Sequence, residues 1–132
     1  MEDKKEGEDK LLYRKEVFSI VGAAMEVHTE LKHGYAEAVY HESLAMEFDL
    51  CTIPYEPEKR LLISYKGRPL QKHYIADFVC YGQIIVEIKA ISKLTDADRA
   101  QIINYLKATG CKIGVLINFG SVGKLEWERF IF

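Results

Sequence analysis

The stretch IIVEIKAI, residues 84–91, decides how this chain is read. It is a run of apolar strand formers interrupted by Glu87 and Lys89. A short Ile- and Val-rich run of this kind reads as a strand covered on both faces. Charges are costly in such a place unless they are paired, hydrated or bound to a metal. A carboxylate and an ammonium two residues apart in the best candidate for a central strand therefore need a cause.

The preceding strand, KHYIADFVC at 72–80, is joined to this one by a tight turn around Tyr81 and Gly82. Side chains alternate along a strand, so Ile85, Glu87 and Lys89 share one face, as do Ile75, Asp77 and Val79. Partners across an antiparallel hairpin have a constant sum of residue numbers. A three-residue loop at 81–83 sets Asp77 opposite Glu87, whereas a strict two-residue turn at 81–82 puts them on opposite faces. Two carboxylates face to face repel unless a proton or cation lies between them. Hard divalent cations such as Mg²⁺ take oxygen ligands, often one or two carboxylates completed by water and phosphate. Lys89 on the same face would orient or help deprotonate an attacking water, or stabilise charge on a phosphate. A plainer reading stands beside this one: a Glu87–Lys89 surface pair on an edge strand, with Asp77 capping a loop.

Further out, the apolar spacing from Leu11 to Leu31 predicts a long amphipathic helix that stops near Gly34, and residues 35–50 predict a second. Pro54 and Pro57 open an extended region, and 59–65 reads as a strand that turns at Lys66-Gly67. Thr95 and Asp98 resemble a capping box that opens a helix at about 96–109, ended by Gly110. CKIGVLINF (111–119) and the more peripheral KLEWERFIF (124–132) are the last strands. Three adjacent strands, a crossover helix and another strand imply a mixed sheet with helices on its faces.

The chain of 132 residues has the length of one domain, and its 48% hydrophobic and 29% charged content is that of an ordinary globular protein. The segment 1–10, MEDKKEGEDK, holds the whole net charge of −2 and reads as a flexible solvated tail before a single domain at 11–132. The near-neutral balance argues against coating nucleic acid by bulk charge, though not against a local basic groove. Cys51, Cys80 and Cys111 lack any paired spacing and read as reduced, buried thiols of a cytoplasmic protein. No run is long and apolar enough for a membrane span.

On the second helix, Glu37 and Tyr40 share a face and His41 adjoins it. Each has an ordinary reading as a helix residue, and a zinc site at Glu37 and His41 lacks a third ligand in motif spacing. Gln101 and Tyr105 lie one turn apart beside the apolar stripe Ile102, Ile103 and Leu106.

Together these pieces resemble a known family. GYAEAVY carries the Gly34, Glu37 and Tyr40 of the GxxExxY proteins, which are grouped with the PD-(D/E)XK nucleases. ADF, VEIKAI, AQIINYLKATG and GVLINFG follow in the family's order, over about residues 11–120. The resemblance implies a restriction-endonuclease-like αβββαβ core and hydrolysis of phosphodiester bonds, with DNA as substrate, by a metal-dependent nuclease. It implies Mg²⁺ (or Mn²⁺) held by Asp77, Glu87 and the Ile88 carbonyl, with Glu37 completing the site and Lys89 assisting the water. Gln101 and Tyr105 resemble the Q-x-x-x-Y element of RecB-type exonucleases, and with Tyr40 they are the expected substrate-side residues. Ala76 replaces the Pro of the superfamily's name, and Ile75 stands where related proteins often have Arg. The alternative is a catalytically silent nucleic-acid-binding or assembly module on the same scaffold, favoured by Ile75, the neutral balance and the lack of an obvious basic extension. A third reading is a subunit that works as a homo-oligomer or with a helicase-type partner.

Overall fold

The computed structural model describes residues 12–132, so the tail expected at 1–10 lies outside the described residues. Helices α1 (Arg14–Leu31) and α2 (Glu37–Leu50) come first. Strands β1 (Tyr55–Tyr65), β2 (Arg68–Cys80) and β3 (Ile84–Lys89) follow, then helix α3 (Asp96–Thr109) and strands β4 (Ile113–Asn118) and β5 (Glu126–Ile131). The strands form one sheet in the order β1-β2-β3-β4-β5. Only β3 and β4 run parallel, joined by the crossover through α3. This is the mixed sheet with flanking helices that the sequence predicts.

Apolar alternation sorts the side chains onto two cores. Ile84, Val86 and Ile88 with Ile113, Val115 and Ile117 pack beneath α1 and α2. Ile85 and Leu116 pack against Ile102, Tyr105 and Leu106 of α3. Strand β3 is thus covered on both faces, and Glu87, on the α3 side in line with Ile85, is only 3% exposed. The Thr95–Asp98 capping box is present, and Gly110 ends α3 in the left-handed conformation at φ 75.

Some boundaries and one burial differ from the sequence reading. Strand β1 begins at Tyr55, with Pro57 paired to Phe78 inside it. Proline is tolerated there because β1 is an edge strand whose outer side needs no N–H donor. Helix α2 starts at Glu37, because Ala36 is still extended at its N-cap. Cys51 is exposed, contrary to the expectation of three buried thiols, because it is the C-cap of α2; all three cysteines are free.

The hairpin register is the one a three-residue loop requires. Cys80 pairs with Ile84, Val79 with Ile85 and Phe78 with Val86. Tyr81 and Gly82 both take left-handed backbone, at φ 56 and φ 68, and glycine meets that demand without steric cost. The alternation of β2 breaks one residue further on. Ala76 packs in the α3-side core and Phe78 in the α1–α2 core, although strict alternation gives both the same face. Between them the β1–β2 ladder skips Asp77, and Glu58 facing it has φ 48. The strand is kinked at Asp77.

Candidate active site

The kink opens the end of the β2–β3 hairpin, and carboxylates fill the gap. Beyond the pair Phe78–Val86, the Asp77 N–H donates to Glu87 Oε2 at 2.6 Å, and the Ile88 N–H donates to Asp77 Oδ2 at 2.8 Å. Side-chain oxygens replace the backbone carbonyls that a continued ladder would supply. Each carboxylate therefore commits one oxygen to the opposite strand, and the two acids are held side by side. The plainer reading, a surface Glu87–Lys89 pair with Asp77 capping a loop, is not what the chain forms.

Burial first, and then the charge of Asp77, push the Glu87 carboxyl up from 4.5 to about 9, against the opposing pull of the Asp77 N–H and Lys89. A carboxyl so placed holds a proton at neutral pH unless a cation takes that place. Glu37 joins from the first turn of α2, where the helix N-terminus favours an anion. Its carboxyl is raised by partial desolvation and by Asp77, and drawn down by Lys89 and His41. Five ionisable groups from α2, β2 and β3, namely Glu37, His41, Asp77, Glu87 and Lys89, are thus electrostatically linked at a single place.

Lys89 is held from the α3 side. Its Nζ donates to Gln101 Oε1 at 2.8 Å and lies 4.0 Å from Asp98. Gln101 Nε2 in turn donates to the Tyr105 hydroxyl at 2.9 Å. Burial and then Glu87 raise the Tyr105 hydroxyl, so it stays protonated while it accepts from Gln101. Tyr105 is only 6% exposed, and its ring lies 4.8 Å from that of Tyr74. Gln101 thus holds the lysine, and Tyr105 holds Gln101, which is the supporting position one reading of the sequence gives them.

Tyr40 is a clearer correction. It is 0% exposed and stacked on Phe119 at 4.8 Å. Its hydroxyl donates to the Lys32 carbonyl and accepts from the Tyr35 N–H. Buried there, it cannot touch a substrate; it clamps the α1–α2 turn that leads into Glu37. Sharing a helix face with Glu37 did not give it the same surroundings.

With this geometry in view, the sequence from 14 to 130 matches the family model of the PD-(D/E)XK nuclease superfamily. The chain belongs to the PD-(D/E)XK nuclease superfamily. Its fold is similar to that in the crystal structure of SSO0001, with a TM-score of 0.53 at 19% identity, over 71% of this chain and 48% of that one. The chain thus spans about half the length of that relative. No curated protein matches the sequence.

PD-(D/E)XK nucleases generally use divalent metals. The donors here suit a hard cation: they are all oxygens, and they include a buried carboxyl that otherwise needs a proton. Among the described residues no three His, Cys, Asp or Glu side chains form a ready-made ligand group. The fit is to a two-carboxylate site whose remaining ligands come from water and substrate.

Two more residues of this region take roles that the sequence did not assign to them. His41 stacks on Phe78 at 4.4 Å and brings Nε2 to 3.3 Å from the Asp77 carbonyl, bracing the kinked residue. Asn118, fully buried and paired with Lys89 across β3–β4, bonds Ile91 N and O, Gly120 N and Glu126. It fixes the chain as it leaves Lys89. Gly120 allows this approach, since a Cβ there would lie 2.1 Å from the Ile91 carbonyl oxygen. Among the described residues no helix is long and apolar enough to cross a membrane.

Proposed function

We propose that the protein is a metal-dependent nuclease of the GxxExxY group that hydrolyses DNA phosphodiester bonds. The observation that carries this is the pair Asp77 and Glu87, held side by side in the opened hairpin with Lys89 fixed beside them by Gln101. Asp77, Glu87 and the Ile88 carbonyl would hold Mg²⁺ (or Mn²⁺), with Glu37 joining directly or through water. When bound, such an ion polarises a phosphate and makes water a better nucleophile near neutral pH. The chain's own residues supply the rest. Lys89 places a positive charge where charge develops on the phosphate and orients the attacking water. Gln101 and Tyr105 keep its ammonium aimed, and the Asp77–Glu87 pair keeps the ion on the same face.

One observation favours the second reading, a silent nucleic-acid-binding or assembly module. The two carboxylates already satisfy each other's strand, and among the described residues no third His, Cys, Asp or Glu completes a ligand group. Action only as a homo-oligomer or beside a helicase-type partner is compatible with either.

Incubation with labelled single- and double-stranded DNA and RNA, with Mg²⁺ and with chelator, separates the two. Chelator-sensitive cleavage of DNA that falls on the order of 10²–10³-fold in Lys89→Ala supports the nuclease. Unchanged cleavage by that variant removes the lysine from the mechanism. Nucleic-acid binding without chelator-sensitive cleavage supports the silent module.

A further inference from the structure

Beyond Asp77, strands β1 and β2 leave the sheet as a two-stranded ribbon. They run 11 and 13 residues against 6 for β3, which pairs only with Phe78, Val79 and Cys80. Helix α3 covers the base of the ribbon through Leu61, Tyr74 and Ala76. Every residue from Ser64 to Lys72 is exposed, so the tip is free on both faces. The charge of this segment is one-sided. From Lys59 to Ala76 the chain carries Lys59, Arg60, Lys66, Arg68, Lys72 and His73, and no Asp or Glu. Residues 12–54, which hold α1 and α2, carry seven acids against three Lys and Arg, and Glu56 and Glu58 follow at the start of β1. The near-neutral total conceals a dipolar molecule.

The cations of the ribbon are available. Among the described residues Arg60, Arg68 and Lys72 have no carboxylate partner, and Lys59 has only an exposed contact with Glu56 at 2.8 Å. Lys66 lies 5.5 Å from the Tyr65 ring centroid at the tip. Tyr65 is 63% exposed and Leu62 57%, a cost to a solvent-facing ribbon unless something covers them. Arg60 pairs with Ile75, two residues from Asp77, so the basic surface begins at the candidate active site.

We propose that the β1–β2 ribbon is an arm that binds duplex DNA, entering the major groove and presenting a backbone phosphate to the Asp77–Glu87 site. A B-form major groove, about 12 Å wide, admits a two-stranded ribbon, whereas the deep, narrow groove of A-form RNA does not. The six steps from Arg60 to Lys66 span roughly 20 Å at about 3.3 Å each, or about six base pairs. This rests on the nuclease reading for its biological sense, but the binding itself needs no turnover.

The test is fluorescence anisotropy on a labelled DNA duplex of roughly 20 base pairs, with the full chain in chelator, across about 50–200 mM salt. The triple variant Arg60→Ala/Arg68→Ala/Lys72→Ala removes three exposed cations while leaving the core untouched. A control, Lys15→Ala/Lys112→Ala/Lys124→Ala, removes the same charge elsewhere. The arm variant should bind on the order of 10²-fold more weakly near 100 mM salt, with a log–log salt slope flatter by about 2–3, while the control stays close to wild type. Equal losses in the two variants, or no loss in the first, overturn the arm. Equal affinity for an RNA duplex, or tighter binding to single strands, overturns the groove. If binding depends on the ribbon but the wild type never cleaves, the arm stands and the nuclease reading falls. Chelator-sensitive cleavage with ribbon-independent binding gives the converse.

Discussion

Replacing Glu87 by Gln should stabilise the metal-free protein at neutral and alkaline pH. Burial and then Asp77 raise the folded carboxyl to about 9, while in the unfolded chain it titrates near its ordinary value. Below about pH 4.5 both states carry the proton and the site is neutral to stability. As pH rises above that, the unfolded chain releases its proton and the folded protein keeps it, so stability falls until the folded carboxyl ionises near 9. Each pH unit in that window is worth at most about 1.4 kcal/mol, which puts the ceiling at about 4 kcal/mol near pH 7.5. Water reaching the opened strand ends relaxes part of this, leaving about 2 kcal/mol as the working figure. Glutamine retains an oxygen for the Asp77 N–H and has no proton to lose. Thermal unfolding followed by circular dichroism in chelator should place Glu87→Gln roughly 6–10 °C above wild type near pH 7.5, and level with it near pH 4.5. Saturating Mg²⁺ should narrow or reverse the order, because an ion that binds the folded wild type stabilises it by mass action. A variant less stable than wild type near pH 7.5 in chelator, or an offset that ignores pH, would refute the reasoning.

Two further substitutions separate scaffold from chemistry. Tyr40→Phe removes the hydroxyl that ties Lys32 to Tyr35 and keeps the stack on Phe119, so urea unfolding should show a loss of about 1–2 kcal/mol. The KM for DNA should not move, and a shifted KM at unchanged stability would return Tyr40 to the substrate surface. Asn118→Ala leaves the part-buried Ile91 and Gly120 backbone groups without their partner and should cost about 2 kcal/mol. A denaturation midpoint within error of wild type would show that water replaces the side chain.

The parts legible in the sequence are those set by local periodicity. The Ile- and Val-rich hairpin left two registers, and the structure adopts the one with a three-residue loop. The α3 capping box and its glycine stop follow from hydrogen bonds within one turn. The face shared by Glu37 and Tyr40 was equally legible, yet their roles divide. Glu37 lies within electrostatic reach of Asp77 and Lys89, whereas Tyr40 is stacked on Phe119, a residue far along the chain. Helical spacing fixes a direction relative to the helix, and only packing decides what lies in that direction. Asn118 escaped for the same reason: in GVLINFG it reads as the polar end of a strand, and its partners Ile91 and Glu126 belong to other elements.

The kink at Asp77 joins these observations into one cause. A regular β2–β3 ladder would carry its register on from Phe78–Val86 to Asp77 and Glu87 and leave the carboxylates no backbone N–H to accept from. Instead Glu58 turns left-handed, the β1–β2 ladder skips Asp77, and the carboxylates become the acceptors that close the sheet. The same break sends β2 away from β3, which frees the basic half of the hairpin. Site and ribbon therefore share an origin: the residue that gathers the acids is also the point from which the cations project. Charge counted over the whole chain averages this arrangement to nearly nothing, because the acids of α1 and α2 offset the cations of the ribbon. The electrostatic field that a polyanion meets is set by where the chain bends, and no composition carries that position.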